Sequence, residues 1–410
     1  MTVELRVPTS KSVTHRALLL GALSRRACRV RRPLWGADNR ATLDALVALG
    51  ARARREGDDV LFEPVPDLGV PSGPLDCANS GTTLRLLLAQ AARLDGEVVL
   101  TGDDSLRSRP NGPLLAALTS LGAEVASEEG HAPIRVRGPL RAGVVQLPPR
   151  TSSQYASGLM LALALVEGES EIRMASPVAS RPYLELTRDQ AARAGLRVDF
   201  RQAPDGLRIT VPGGQRPDVG ELLVEGDWST AAFPLLAGAV TARAVRLDGL
   251  LADSVQGDRA VVDLVSRFGP RVAFEGDVLT LTPAPLRAPG ELGLGATPDL
   301  FPALCALAAM ASGETRLVDA PSLRDKETDR IAAMVTALRA LGVDAEELPD
   351  GAVVRGGAPL RAASVQSCDD HRVHMALACL GLVGPVDVDG RGCEAVSYPD
   401  FHRDLERFGG

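Results

Sequence analysis

Lysine is rare in this chain, and its two occurrences mark candidate sites of chemistry. Lysine and arginine together number 45, yet only Lys11 and Lys326 are lysines. An arginine stays protonated in a protein, whereas the compact charge of a lysine can be adjusted for acid–base work. A general preference for arginine on the surface accounts for part of this ratio. The two remaining lysines are therefore candidates for a task that arginine cannot perform.

Basic and hydroxyl side chains of the N-terminal half recur where helices are expected to begin. The segments "SKSVTHR", "NSGTTLR", "RSRP", "TSSQ" and "SRPY" supply Lys11, Ser12, Arg16, Asn79, Gly81, Thr82, Arg85, Arg107, Arg109, Ser152, Ser153, Gln154, Ser180, Arg181 and Tyr183. A helix N-terminus offers free N–H groups and a partial positive charge, so it can bind anions. Any single opening could be an ordinary N-cap. Their recurrence predicts a site for a multiply charged anion.

The C-terminal half mixes acids with bases. Asp299 follows Pro298 at a helix opening, and "RDKETDR" contains Lys326, Glu327 and Arg330. Lys326 and Arg330 are four residues apart and would share a face if this segment were helical. "DDHR" adds Asp370, His371 and Arg372 before an apolar helix. A solvated, charged helix start is the alternative interpretation of the "RDKETDR" run.

Other kinds of site receive less support. Cys368, His371 and His374 are three residues apart and could share a helical face as zinc ligands. The sequence shows no second cluster to complete a closed zinc site, and Arg372 would place a positive charge beside the ion. Serine hydrolase elbows and the glycine-rich loops that bind dinucleotides or nucleoside triphosphates are absent from the sequence. We therefore expect no metal site.

A repeat of about 73 residues positions these side chains. Helices that end in glycine and are followed by a hairpin pattern recur at Gly50, Gly122, Gly195, Gly269 and Gly342, with intervals of 72, 73, 74 and 73 residues. A sixth copy ends at Gly409, 67 residues further on. Glycine is the usual residue just after a helix, and alternating apolar residues indicate a hairpin. Six α/β units are predicted.

Each unit also contains a second helix that is apolar on nearly all sides. Bodies such as "LRLLLAQAA" and "LMLALALV" are typical of buried helices. Six such units predict two domains of threefold pseudosymmetry. The N-termini of their buried helices would meet at a cleft.

Composition limits the class of protein. The chain has 410 residues, 45% hydrophobic and 24% charged, which is typical of a globular protein of two or three domains. A net charge of −7 argues against nucleic-acid binding by bulk charge. Six cysteines without a CxxC pair argue against a disulfide framework. No apolar run has the length of a membrane span and no secretory signal is apparent, so a cytoplasmic location is expected.

The ordered set "SKSVTHR", "NSGTTLR", "RSRP", "SSQY", "SRPY", "PD", "KETDR" and "DHR" resembles the 5-enolpyruvylshikimate-3-phosphate synthase family across essentially the whole chain. This resemblance implies an α/β fold of two domains, each built of three βαβαββ units with buried helices, an inside-out α/β barrel. It places residues 1–14 with 226–410 in one domain and 15–225 in the other. The active site would lie in the cleft between them, and the domains would close on the substrates.

The resemblance also implies roles for individual residues. Shikimate 3-phosphate would be bound by Lys11, Ser12, Arg16, Ser152, Ser153, Gln154, Ser180, Tyr183, Asp299, Ser322 and Lys326. Phosphoenolpyruvate would be bound by Lys11, Asn79, Gly81, Thr82, Arg109, Gln154, Arg330 and Arg372. Lys11, Asp299, Glu327 and His371 would be catalytic. The 5-hydroxyl would add to C2 of phosphoenolpyruvate as C3 is protonated, and phosphate would then leave. A monomer acting on two small molecules, without metal, cofactor, nucleic acid or membrane, is expected.

Three positions depart from the family pattern. His15 and Ser322 stand where asparagine is common, and Val396 stands where many members carry a lysine that binds phosphoenolpyruvate.

Two rival functions fit the sequence less well. UDP-N-acetylglucosamine enolpyruvyl transferases share the fold but use a loop cysteine, which "GDDSLRSRPNG" lacks. A binding protein without catalysis would gain nothing from Asp299 and Glu327 facing phosphates.

Overall fold

The computed structural model describes residues 2–409, which divide into two compact units. One unit contains residues 2–10 and 225–409, and the other contains Lys11–Val224. The chain therefore passes from one unit to the other between Ser10 and Lys11 and again between Val224 and Glu225. The family resemblance places these crossings after residue 14 and after residue 225.

The α-helices run from one to about four turns. In the described residues they are α1 (Lys11–Ala22), α2 (Ala37–Ala48), α3 (Gly81–Ala91), α4 (Asp104–Arg107), α5 (Gly112–Ser120), α6 (Ser153–Leu163), α7 (Arg181–Arg193), α8 (Trp228–Val240), α9 (Val261–Ser266), α10 (Phe301–Met310), α11 (Arg330–Ala340), α12 (His371–Leu380) and α13 (Phe401–Leu405). No helix of residues 2–409 has the length and apolar content needed to cross a membrane.

The strands are short, from two to seven residues. In the described part of the chain they are β1 (Thr2–Arg6), β2 (Cys28–Arg31), β3 (Arg52–Glu56), β4 (Asp59–Glu63), β5 (Leu75–Asp76), β6 (Glu97–Thr101), β7 (Glu124–Glu128), β8 (His131–Arg137), β9 (Val144–Leu147), β10 (Ser170–Ala175), β11 (Asp199–Ala203), β12 (Gly206–Val211), β13 (Glu221–Leu223), β14 (Ala244–Asp248), β15 (Arg271–Glu275), β16 (Val278–Thr282), β17 (Gly290–Gly293), β18 (Gly313–Val318), β19 (Asp344–Leu348), β20 (Gly351–Gly356), β21 (Ala363–Val365) and β22 (Val386–Val388).

Five sheets within residues 2–409 share one topology, in which a parallel pair of strands continues into an antiparallel hairpin. Their strand orders are β5-β6-β8-β7, β9-β10-β12-β11, β13-β2-β4-β3, β1-β14-β16-β15 and β17-β18-β20-β19. A parallel pair needs a crossover connection, and a helix supplies it in most of these units. The repeat predicts an α/β unit, and the family resemblance implies the βαβαββ form that is seen here.

Two of these sheets take their first strand from a distant part of the chain. Strand β1 pairs in parallel with β14, from Thr2 opposite Ala244 to Arg6 opposite Asp248. Strand β13 pairs in parallel with β2, with Leu222 opposite Val30 at its centre. The chain thus starts in one unit, builds the whole of the other, and returns. This exchange of first strands makes one unit discontinuous in sequence.

The five glycines that define the repeat have backbone conformations that favour glycine. Gly50, Gly122, Gly195, Gly269 and Gly342 have φ between +80° and +122°. An L-residue is strained there because its Cβ approaches the backbone. The prediction of a glycine after each of these helices is confirmed.

The sixth unit differs from the other five. Its strands β21 and β22 form a two-stranded parallel sheet, with Ser364 opposite Asp387. The segment after β22 forms a 3₁₀ helix at Cys393–Val396, then α13 and a 3₁₀ helix at Glu406–Phe408, and the described residues end without a hairpin. Gly409 has φ −87°, unlike the five repeat glycines. Its agreement with their spacing was therefore only approximate.

The second helix of each unit is buried, as its composition predicts. Residues 84–92, which cover most of α3 and the residue after it, are almost wholly inaccessible to solvent. The same is true of residues 159–164, which cover the last turn of α6 and the residue after it. These two helices pack closely: a Cβ added at Gly158 would lie 2.6 Å from the carbonyl oxygen of Arg85. In the other unit α8, α10 and α12 pack on one another. Each of the two compact units has its own hydrophobic core.

Candidate active site

Helix α1 begins at Lys11, which places a positive charge at the N-terminus of the helix. The Lys11 ammonium is 3.1 Å from Oδ2 of Asp38, and its side chain is 13% exposed. Asn39 Nδ2 donates to the Lys11 carbonyl at 3.2 Å. The Asp38 carboxylate therefore offsets the repulsion between Lys11 and the helix dipole. Asp38 and Asn39, both on α2, fix the position of this lysine.

His15, one turn further along α1, is a neutral structural residue. Its Nδ1 is 2.7 Å from the Thr42 hydroxyl, and its side chain is fully buried. Burial, with the positive charges of Lys11 and Arg16, lowers the pKa of His15 well below its usual value. A neutral histidine adds no further positive charge to this helix end. The departure from the family asparagine thus keeps a neutral, polar side chain here.

Arg16 lies inside the unit and links α1 to α7. Its Nη1 donates to the Ser12 carbonyl at 2.8 Å, and its Nε donates to the Thr187 hydroxyl at 2.8 Å. Its Nη2 lies 3.4 Å from the Tyr183 carbonyl. Burial lowers the pKa of Arg16 to about 10, which still leaves it charged at neutral pH. The geometry supports a positioning role for Arg16, while its direct binding of shikimate 3-phosphate stays a prediction.

Two guanidinium groups meet above the first turn of α3. A Cβ added at Gly81 would lie 3.3 Å from Arg85 Nη1 and 3.4 Å from Arg109 Nη1. Both arginines are less than a tenth exposed. Ser80 caps the helix by accepting from the backbone N–H of Thr83 at 3.1 Å. The helix end and the two cations together form a positively charged surface suited to phosphate or carboxylate.

Polar side chains hold these two guanidiniums in place. Gln154 accepts from Arg85 Nη1 at 2.6 Å and donates from Nε2 to the Thr82 hydroxyl at 2.9 Å. The Asn79 carbonyl accepts from Arg109 Nη1 at 3.2 Å, and the Asn79 side chain accepts from Nη2. The structure therefore brings together the predicted residues Asn79, Gly81, Thr82, Arg109 and Gln154. Arg85 belongs to the predicted basic and hydroxyl set, but the family resemblance gave it no ligand; it follows Gly81 by four residues and so shares its helix face.

The remaining predicted residues of this unit lie at the starts of α6 and α7. Ser152 caps α6 by accepting from the backbone N–H of Gln154 at 3.4 Å, and Ser153 is the first residue of that helix. Ser180 precedes α7 with φ +49°, a left-handed conformation that is uncommon outside glycine. Tyr183 follows in the first turn. Such strain often accompanies functional positions.

In the compact unit formed by residues 2–10 and 225–409, Asp299 makes ion pairs with three basic side chains. Its Oδ1 lies 3.1 Å from Lys326 Nζ and 2.8 Å from Arg330 Nη1, and its Oδ2 lies 3.3 Å from Arg372 Nη2. The condition under which Lys326 and Arg330 would share a helix face, a helical segment between them, is not met. Helix α11 begins at Arg330, and Lys326 precedes it with an extended backbone. The two cations instead converge on Asp299 from different segments.

Arg330 is the centre of this cluster. Only 1% of its side chain is exposed, and it donates to Asp370 at 2.7 Å and to Glu327 at 2.8 Å as well as to Asp299. Burial opposes its charge, but the three carboxylates outweigh burial and raise the pKa of Arg330. Asp370 also caps α12 by accepting from the N–H groups of Arg372 and Val373. Arg330 thus connects the starts of α11 and α12 to Asp299.

The other predicted positions of this unit have differing surroundings. His371 and Arg372 are the first two residues of α12 and are buried. Ser322 lies half-buried in a 3₁₀ helix at Pro321–Asp325. Val396 is half-buried at the end of the 3₁₀ helix Cys393–Val396. Cys368, from the disfavoured zinc set, is exposed.

Asp258, which the sequence did not single out, belongs beside this cluster. Burial and the negative charge of Asp299 raise the pKa of Asp258 to about 7, although the hydroxyl of Ser229 donates to it. Between pH 4 and 7 the folded chain therefore keeps a proton that the unfolded chain has lost. Linkage then makes the unfolding free energy fall as the pH rises through this range.

We expect Asp258→Asn to remove this contribution. The stability of the variant relative to the natural chain should rise between pH 5 and 8, on the order of a few kcal/mol. Denaturant unfolding at several pH values measures this difference, and Asp253→Asn, at an exposed position, is the matched control. A stability difference that does not change with pH would show that Asp258 is already ionised at pH 5.

Comparison with known proteins agrees with this geometry. The family model described as EPSP synthase (3-phosphoshikimate 1-carboxyvinyltransferase) matches residues 1–405. A 3-phosphoshikimate 1-carboxyvinyltransferase of Methanocorpusculum labreanum is 40% identical over 407 residues, covering 98% of this chain and 95% of the relative. One from Halobacterium salinarum is 43% identical over 415 residues, covering 98% and 96%.

A solved structure agrees as well. The EPSP synthase of Acinetobacter baumannii superposes with a TM-score of 0.81 at 27% identity, over 100% of this chain and 96% of that one. The α/β fold of repeated units with buried helices is therefore the fold of that enzyme. Together with the match over residues 1–405, this shows that the chain belongs to the EPSP synthase (3-phosphoshikimate 1-carboxyvinyltransferase) family.

Proposed function

We propose that this chain transfers the carboxyvinyl group of phosphoenolpyruvate to the 5-hydroxyl of shikimate 3-phosphate and releases phosphate. This is the transferase activity of its family, a step in the biosynthesis of chorismate and aromatic amino acids. One structural observation carries the proposal: Arg85 and Arg109 converge on the first turn of α3, where Gly81 has no side chain to keep the two guanidinium groups from the helix N-terminus. Each unit contributes a different part of the chemistry.

The unit of Lys11–Val224 supplies most of the anion binding. Phosphoenolpyruvate would lie against Gly81, with Arg109 and Arg85 binding its charged groups and Gln154 keeping Arg85 in place. Asn79 and Thr82 shape the same surface. The hydroxyl groups at the starts of α6 and α7, with Ser12 and Tyr183, would bind shikimate 3-phosphate. Because Arg85, Arg109 and Gln154 are already held by hydrogen bonds, little reorganisation of these three is needed on binding.

The other unit supplies proton transfer and further cations. Asp299 would accept the proton of the 5-hydroxyl, exchanging one of its ion-pair contacts for that hydroxyl. Glu327 would deliver a proton to C3 and later recover it, with His371 nearby. Arg330 and Arg372 would bind phosphoenolpyruvate, and Ser322 and Lys326 shikimate 3-phosphate. Three cations around Asp299 favour its ionised form, which is the form that a base requires.

Lys11 would act on the leaving phosphate. Phosphate leaves when the bond between C2 and the bridging oxygen breaks. Negative charge then grows on this oxygen, and the Lys11 ammonium can donate a proton to it. Its 3.1 Å pair with Asp38 holds the ammonium group in position. All these groups come from one chain, so we propose that a monomer is active. We also propose a cytoplasmic location, where small phosphorylated metabolites are found.

Phosphate release in the presence of both substrates tests this function. We expect the purified chain to release inorganic phosphate with shikimate 3-phosphate and phosphoenolpyruvate together, and none with either alone. Each substrate alone serves as the control for the other. Release from phosphoenolpyruvate alone would indicate a phosphatase. Binding of both compounds by folded protein without release would indicate an anion-binding protein that has lost catalysis.

A further inference from the structure

Two of the five histidines in this chain meet nitrogen to nitrogen, and the proposed function uses neither of them. His374 lies in α12 and His402 in α13, and their Nε2 atoms are 3.0 Å apart. His374 is completely buried, and the side chain of His402 is 21% exposed. Two imidazole nitrogens at this distance share either a proton or a metal ion.

A carboxylate completes a set of three donors. Glu394, in the 3₁₀ helix Cys393–Val396, is buried and places its oxygens 3.7 Å from His374 Nε2 and 3.6 Å from His402 Nε2. One ligand atom from each of the three residues lies within 4.8 Å of the others. Around Zn²⁺, tetrahedral ligand atoms at 2.0–2.2 Å are roughly 3.3–3.5 Å apart. Small side-chain shifts would bring these three atoms to that spacing.

Hydrogen bonds already orient two of these donors. His374 Nδ1 is 2.6 Å from the carbonyl oxygen of Asp389, which can only accept, so the proton of neutral His374 lies on Nδ1. Its Nε2 lone pair therefore points towards Glu394 and His402. Glu394 Oε2 accepts from the backbone N–H of Gly392 at 2.6 Å. A backbone carbonyl behind the histidine and a bound carboxylate are the outer partners that metal ligands commonly have.

We propose that His374, His402 and Glu394 bind one divalent transition-metal ion of the Zn²⁺ type. Two imidazoles and a carboxylate suit Zn²⁺ or Co²⁺, whereas Mg²⁺ and Ca²⁺ prefer sites built from oxygen. The partly exposed side of His402 leaves a fourth position for water. Cys393 adjoins the site, but burial raises the pKa of its thiol to about 12, so it is a poor ligand unless the metal deprotonates it.

The ion would be structural. It would join α12, the 3₁₀ helix Cys393–Val396 and α13, which are the segments of the one unit that ends without a hairpin in the described residues. The same helix α12 begins with His371 and Arg372. A metal bridge one turn further along would therefore stabilise the end of the chain against a helix of the proposed active site. This inference does not depend on the identity of the substrates.

Metal titration of the full chain after treatment with a chelator tests the proposal. We expect one Zn²⁺ per chain by calorimetry, and visible absorption bands of tetrahedral Co²⁺ that Zn²⁺ removes. At about 100 times the dissociation constant, Zn²⁺ should raise the melting temperature by roughly 5 °C. Absence of both binding and the Co²⁺ bands would overturn the proposal, leaving a hydrogen-bonded histidine pair.

Variants identify the ligands. His402→Gln, at the partly exposed ligand, and Glu394→Gln should each lower the Zn²⁺ affinity by about 100-fold or more. The controls are His131→Gln, a histidine of the other unit, and Cys393→Ser, and both should bind as the natural chain does. Unchanged binding by the His402 and Glu394 variants would refute this site, as would loss of binding in Cys393→Ser alone. Folding of each variant is checked by circular dichroism without metal.

Discussion

Replacing Lys11 with arginine will leave the chain folded and lower kcat by about 10²–10⁴-fold, the usual contribution of a general acid. Arginine keeps the positive charge beside Asp38, so substrate binding should weaken less than turnover. It cannot give up a proton to the leaving phosphate. The lysine side chain is 13% exposed, which also leaves limited room for a larger guanidinium. Initial rates at saturating concentrations of both substrates measure the effect.

Two further variants separate charge from proton transfer. Lys11→Met should lower kcat and also raise KM, because it removes the charge as well as the proton. Arg40→Lys, at an exposed position of α2, controls for exchange between the two cations and should be neutral. A kcat for Lys11→Arg within about twofold of the natural chain would mean that Lys11 donates no proton, and the inference from the rarity of lysine would then be wrong.

Replacing Arg330 with glutamine will destabilise its unit by about 3–5 kcal/mol, the cost of removing one partner from a buried ionic cluster. Asp299, Glu327 and Asp370 would then face one another without the cation that each contacts at 2.7–2.8 Å. Denaturant unfolding followed by the fluorescence of Trp228, which is buried in the same unit, reports the change.

Arg324→Gln is the matched control for that variant. Arg324 also contacts two carboxylates, those of Asp329 and Glu347, but its side chain is 30% exposed. Solvent screening should limit its effect to about 1 kcal/mol or less. Equal destabilisation by the two variants would show that burial does not determine the stability contribution of the Arg330 cluster.

The repeated fold could be predicted because each unit carries local signals. A glycine after a helix and an alternating hairpin pattern mark every unit from Gly50 to Gly342. Only the shorter last interval, 67 residues against about 73, indicated that the sixth unit would differ. Because one residue follows Gly409 in the sequence, no hairpin follows this glycine, but the packing of α13 beside α12 could not be predicted. It depends on a contact between Phe401 and His374, which are distant in sequence.

The candidate site was predictable where its residues lie in the first turn of a helix. Lys11, Gly81 and Ser153 all occupy such positions. Lys326 and Arg330 do not share a helix face for a local reason. Asp329 accepts from the N–H groups of Ile331 and Ala332, so α11 begins at Arg330 and Lys326 lies before it. Tertiary packing creates the environments of Asp258 and Glu394, and no spacing in the sequence indicates them.

The fate of the bridging oxygen of phosphoenolpyruvate distinguishes carboxyvinyl transfer, which breaks the C2–O bond, from hydrolysis of the P–O bond. With ¹⁸O at the oxygen that joins C2 to phosphorus, addition and elimination at C2 break the C2–O bond. We expect the label to leave in inorganic phosphate, detected by its isotope shift in ³¹P NMR, as the enol ether of shikimate 3-phosphate forms. Label retained in pyruvate, with unlabelled phosphate, would mean cleavage of the P–O bond and would contradict carboxyvinyl transfer.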